Sequence, residues 1–226
     1  MAAVALLMSG CTSRYHNMPI DEMVWSKPST VVLAEIKGLD KPAFIKDGNQ
    51  EILDSVINHI MTNDVASAVN QLSMESTIFK HFITPFSLSF KEKNFTVIHR
   101  EHLLYRNKLK ETPSNNPKLA PYFFTELSIE HPNAEYALVL DPKFFAVVRK
   151  YYSFIPLGAP KPEISAWLYL VDLKSTAIVG FYHEHIIEKV EGDWDCPPYF
   201  DNLTGSIKNT LSKFLQNAHN YFFPKT

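Results

Sequence analysis

The sequence predicts an α/β (α+β) fold. It reads as a mixed sheet with a helical pair after the first strand, a central antiparallel hairpin and a C-terminal helix packed on the sheet. Three patterns predict it. From Ile164 onward, Ile164, Ala166, Leu168 and Leu170 fall on one face, and Ser165, Trp167, Tyr169 and Val171 on the other. This period of two marks a strand, and a second strand follows it up to Glu188. Ile52, Leu53, Val56, Ile57, Ile60 and Met61 recur at three and four, as one helix face does. Leu203, Ile207, Leu211, Phe214, Leu215, Ala218 and Phe222 form the apolar stripe of a closing helix.

In chain order, residues 1–10 read as the remnant of a signal peptide, residues 11–28 as a tether and residues 29–226 as a single domain. Val31 to Ile36 is a short apolar run suited to a buried strand, and Gly38 to Gly48 is a loop. Asp47 and Gln50 have capping-box spacing, so a helix is expected from about Asn49. A second helical stretch is expected from about Asp64 through Phe82, interrupted near Ser73, with Pro85 ending or kinking it. Asn94 to His99 alternates as a strand. Residues 107–121 are a long surface loop, and Phe123 to Ile129 reads as a short strand. Glu135 to Leu140 is a strand stopped by Asp141-Pro142, and Phe144 to Ile155 is a further strand-like run before the proline-rich Pro156 to Pro162. The hairpin follows, with its turn at Asp172 to Thr176, where the Asp172 carboxylate is placed to cap backbone N–H groups. Both faces of the hairpin are largely apolar, so it is expected at the centre of the sheet. The last helix is expected to start with Asp201 or Asn202 as its N-cap.

Charge is nearly balanced, with 22 Lys and Arg against 24 Asp and Glu. No basic block of the kind that tracks phosphates is present, so nucleic acid is not an expected partner. Seven glycines among 226 residues argue against glycine-rich phosphate loops, and no cofactor is expected. Two cysteines, Cys11 and Cys196, rule out a disulfide framework. Cys196, beside Pro197 and Pro198, reads as a partly buried structural thiol.

Leu7-Met8-Ser9-Gly10-Cys11 follows an apolar run and ends in two small residues before the cysteine. It resembles the lipobox of bacterial lipoproteins, with Met8 where the family usually has Leu. The resemblance implies that Cys11 carries the acyl chains and becomes the mature N-terminus. Several chains anchor stably, because each buried methylene adds about 0.8 kcal/mol. Thr12, rather than Asp, follows the cysteine, which implies the periplasmic face of the outer membrane.

The sharpest candidate for chemistry is His183 with His185, two apart on a strand and so on one face with Val179, Phe181 and Ile187. They are weak metal candidates, with His99 or His102 to complete a site. No CxxC or HExxH pattern accompanies them, and no metal is expected. Asp193-Trp194-Asp195 reads as a solvated loop with an anchoring Trp rather than an acid–base pair. His99, Glu101 and His102 read as a solvent-facing strand end. No Ser stands in a G-x-S-x-G context, and no catalytic residue is expected. Tyr151, Tyr152, Phe154 and Trp194 are the interface candidates, because Tyr151-Tyr152-Ser153-Phe154 alternates too weakly for every ring to be core.

Three segments carry a wider resemblance. They are Glu135-Tyr-Ala-Leu-Val-Leu140, Phe95-Thr-Val-Ile-His-Arg100 and Leu170-Val-Asp-Leu-Lys-Ser-Thr-Ala-Ile-Val179. With the element plan, they resemble the curli-secretion lipoprotein family, the penicillin-binding-protein-activator lipoproteins and the N-terminal domain of the Tol-system propeller protein. Ser175 and Thr176 stand where that family has Thr-Gly. The resemblance implies a lipid-anchored, non-enzymatic domain that acts on an envelope protein partner or by self-association. The alternative is a soluble periplasmic enzyme or metal-binding protein using the His183/His185 face. A peptidoglycan-binding domain is a third, weaker reading.

Overall fold

The computed structural model describes residues 15–48, 64–112, 116–153, 155–197 and 200–225. Nine strands are found among them: β1 Ser29–Glu35, β2 Ala43–Asp47, β3 Phe95–His99, β4 Lys110–Glu111, β5 Tyr122–Phe123, β6 Tyr136–Tyr152, β7 Ile155–Pro156, β8 Lys161–Asp172 and β9 Ile178–Ile187. The helices are α1 (residues 64–71), α2 Glu75–Ile78, α3 Thr84–Glu92, α4 Thr125–Glu130 and α5 Asp201–Phe222. A π-helical stretch, Phe79–Ile83, joins α2 to α3 without a break.

The main sheet runs β3-β1-β6-β8-β9. β1 lies parallel to both β3 and β6, whereas β6, β8 and β9 are antiparallel. The sheet is thus mixed. The helices between β1 and β3 form the crossover that a parallel pair requires. β6 is a single long strand rather than two. Asp141-Pro142 was expected to stop it, but a bulge between Pro142 and Phe144 absorbs the proline and the strand continues. β2 pairs parallel with the second half of β6, from Ala43↔Ala146 to Asp47↔Lys150. The expected loop Gly38–Gly48 therefore contains a strand, laid end to end with β1 along one side of β6.

Two cores flank the sheet. On one face, Leu33, Leu138, Leu140, Leu168 and Leu170 meet Phe82, Phe86 and Phe90 of the α2–α3 unit and Leu211 and Phe214 of α5. On the other face, Val32, Val139, Tyr169 and Val171 are covered by Leu104, Phe124, Leu127 and Tyr15. Burial on both faces explains why these strands read as nearly continuous apolar runs.

Several elements differ from their sequence reading. Pro85 does not end its helix, because it lies in the first turn of α3, just after the widened π turn. A widened turn relieves the clash a proline ring makes with the preceding turn. The helix breaks at residues 72–74, beside the expected Ser73. Phe123 to Ile129 is mostly helix α4, not strand. The N-cap of α5 is Phe200, at φ 50 and without a side-chain cap, rather than Asp201 or Asn202. Asp172 does cap its turn, its Oδ1 accepting from the backbone N–H of Lys174 at 3.0 Å and of Ser175 at 2.7 Å. The helix expected from Asn49 lies outside the described residues.

The hairpin is not at the centre of the sheet: the middle strand is β6, β8 is interior beside it, and β9 ends the sheet. Its outer edge is covered by residues expected to form a free tether. Met18 pairs with Phe181 through both backbone bonds, and Asp21 N–H donates to Val179 O at 2.8 Å. Tyr15, Ile20 and Val24 are buried. A Cβ on Gly180 would stand 2.9 Å from Ile20 Cγ1, so glycine is what lets this strap lie so close.

Candidate functional site

The parallel strands β1 and β3 end side by side, with Leu33 paired to His99. Beyond their C-terminal ends lies a cleft of about 290 Å³. In open sheets with parallel strands, this is where ligands bind, at the crevice outside the strand ends. Its walls are set by three elements. Glu35, the last residue of β1, follows Val31 and Leu33 on the face toward the helices. Ile78, Phe79 and Ile83 come from the helix and its π turn. Asp40 and Leu103 come from the loops that follow β1 and β3. The π turn carries Phe79, more than half exposed, across His99 with ring centroids 6.4 Å apart.

Glu35 is the unusual group. Its Oε1 is sealed from solvent and has no hydrogen-bond partner among the described residues. Burial, with a smaller contribution from the nearby Asp40 charge, pushes its carboxyl up to about 8. It is therefore largely a neutral acid at pH 7. Arg100, the cation nearest the cleft, is spent elsewhere. Its Nε donates to Glu130 Oε2 at 2.8 Å, its Nη2 to Glu126 Oε1 at 2.6 Å, and its Nη1 to the His102 carbonyl. That network ties the end of β3 to α4.

A second charged cluster lies at the β6 bulge. Asp141 is fully buried, accepting from Arg106 Nη2 at 2.6 Å and from Lys143 Nζ, with the Tyr169 hydroxyl at 3.4 Å. Lys143 also lies 3.9 Å from the centre of the Trp167 ring. Burial pushes the Lys143 ammonium down and the Tyr169 phenol up. Both carboxylate oxygens are engaged, so this cluster pins the bulge and presents no free group.

The sequence-predicted residues scatter. Tyr152 is 73 % exposed, beside Ile155 at 50 % and Leu157 at 60 %. Neither aliphatic was an interface candidate in the sequence, because Ile155 read as the end of a strand-like run and Leu157 stands alone in a proline-rich run without a period. Tyr151 is buried, and its hydroxyl has no hydrogen-bond partner among the described residues. Trp194 is half-buried, with the Arg149 guanidinium 4.4 Å from its ring centre. Phe154 and Cys11 lie outside the described residues. Cys196 is exposed, not partly buried: Trp194 is the residue of its loop that packs on the core, and Asp195 to Pro197 face solvent.

His183 is held by Asn17, whose Oδ1 lies 2.8 Å from the ring Nδ1 and accepts from the His183 backbone N–H at 2.7 Å. His185 lies 3.5 Å from Glu163. His99 is on β3, at the other end of the strand order, and cannot join them. Val179 packs with the helix-side core, because the ladder shifts near Leu170/Val171 and moves it off the histidine face. Among the described residues no group of three or more His, Cys, Asp or Glu could hold a metal ion, and no helix is long and apolar enough to cross a membrane.

Glu35 and Asp40 were missed in the sequence. The available signal was an acid in phase with Val31 and Leu33 on the buried face of an otherwise apolar strand.

No protein-family model matches the sequence, and no curated protein matches it. Solved structures do. A protein of the family DUF330 from Xanthomonas campestris matches at 7 % identity over 91 % of this chain and 89 % of that one, with a TM-score of 0.43. The PelC dodecamer from Paraburkholderia phytofirmans matches at 10 % identity over 89 % and 92 %, with a TM-score of 0.34. Lipoprotein GNA1162 from Neisseria meningitidis matches at 10 % identity over 84 % and 99 %, with a TM-score of 0.30.

Proposed function

We propose that this protein is a lipid-anchored lipoprotein of the bacterial cell envelope, held at the periplasmic face of the outer membrane. It works there as a non-enzymatic accessory or assembly factor, through contacts with an envelope protein or with itself. The address rests on Leu7 to Cys11, with small residues directly before the cysteine. The observation that carries the contact role is the β6–β7 hairpin end. Tyr152, Ile155 and Leu157 stand out from a domain whose other large apolar side chains mostly lie in its two cores. Clustered exposed apolar residues with a tyrosine suit a protein interface.

The test is intact mass and membrane fractionation of the protein made from its full gene in a Gram-negative host, beside Cys11→Ala. An acylated wild type that becomes soluble on Cys11→Ala is the expected result. A wild type that stays soluble and unmodified overturns the reading.

A further inference from the structure

We propose that the cleft beyond β1 and β3 is a binding site for an organic cation, a primary ammonium on a short apolar stem, with Glu35 as its carboxylate partner. This inference stands apart from the lipoprotein reading, since it uses only the geometry of the cleft.

Three observations select that chemistry. The cleft of about 290 Å³ is at the small end of ligand pockets, which run from roughly 300 Å³ upward. Its walls are apolar along Ile78, Phe79, Ile83 and Leu103, which suits a hydrocarbon or aryl stem. The Phe79 ring at the mouth offers a face to a cation as well. Glu35 lines the cleft, and its buried Oε1 has no hydrogen-bond partner among the described residues. An ammonium against the Glu35 carboxyl gives that half-buried acid a counter-charge, whereas a purely apolar ligand would bury it further without a partner, a costly outcome. An anion is excluded by charge. Asp40, Glu75 and Glu101 line the same cleft, and Arg100 is already committed to Glu126 and Glu130.

Binding carries a proton signature. Glu35 is largely protonated at pH 7, and an ammonium beside it favours the carboxylate. Each binding event therefore expels most of a proton. Affinity rises about tenfold per pH unit up to the Glu35 titration near pH 8, because only the ionised form pairs with the cation. His99 is a second side chain at the end of β3 that lines the same cleft. A His99→Gln variant separates the two.

The experiment is titration calorimetry of the purified full chain with 2-phenylethylamine at several pH values between about 6 and 8, in buffers of different ionisation enthalpy. The neutral 2-phenylethanol is the comparison. The expected result is saturable amine binding with proton release and the stated pH slope. The alcohol should bind at least about tenfold more weakly. Glu35→Gln should abolish both slope and release, and His99→Gln should keep them. Phe79→Ala, at an exposed wall residue, should weaken binding with the fold intact. The proton release of the unaltered protein is decisive without any variant. No saturable amine binding, equal binding of the alcohol, or a slope that survives Glu35→Gln would each overturn the proposal.

Discussion

Glu35 and Asp141 are two buried acids with opposite fates, and the difference lies in their partners. Asp141 has Arg106 and Lys143 on its two oxygens. Asp141→Ala leaves Lys143 half-buried beside Trp167 without its counter-charge, and should cost about 3 kcal/mol in urea unfolding, near the low end for a broken buried pair because Arg106 can turn to water. Glu35 has no cation beside it among the described residues, so the folded state holds its proton to about pH 8 while the unfolded chain releases it at the ordinary carboxyl value. In that window the native state binds more protons than the unfolded state. Stability should therefore fall as pH rises from about 5 to 8, and Glu35→Gln should flatten the decline. Thermal unfolding across the range checks it, and a wild type whose pH profile matches Glu35→Gln would refute it. Asp141 and Glu35 look alike in the sequence. Asp141 stands before a proline and reads as a strand stop, and Glu35 ends an apolar run. Neither reading shows which cation, if any, is near, because Arg106 and Lys143 come together only through the sheet.

Elements with a local signature were legible. The β8–β9 hairpin, β3 and α5 follow from period and turn chemistry, and the Asp172 turn forms as its residue types require. Elements defined by a distant partner were not. β2 is five residues inside a loop-like stretch, and only its pairing with β6 makes it a strand. The break of β6 at Asp141-Pro142 was local logic overruled by a bulge, and the stop at Pro85 by a π turn. The strap on β9 is a third case, since nothing in residues 15–28 announces a docking edge. Its tightest point is testable. Gly180→Val sets a side chain against Ile20 and should cost about 1–3 kcal/mol, with faster proteolytic cleavage ahead of residue 29. A variant as stable and protease-resistant as wild type would show that the strap does not need that close approach.

At the scale of the whole molecule, the cleft and the strap lie at opposite ends of the strand order, β3 at one end and β9 at the other. Five strands at about 4.8 Å spacing put roughly 19 Å between those two edges. The sequence fixes the contents of each strand but not this ordering, which depends on the parallel pairing of β1 with strands more than sixty residues away. The strap has a further consequence. Because Tyr15 is already buried against Trp167 and Phe181, only residues 12–14 separate the docked chain from Cys11. Even fully extended, that stretch spans about 14 Å at most. An acylated Cys11 would then act as a short mooring rather than a leash. The protein would ride with its β9 flank toward the lipid headgroups, and β3 with the Glu35 cleft would stand at the far edge of the sheet.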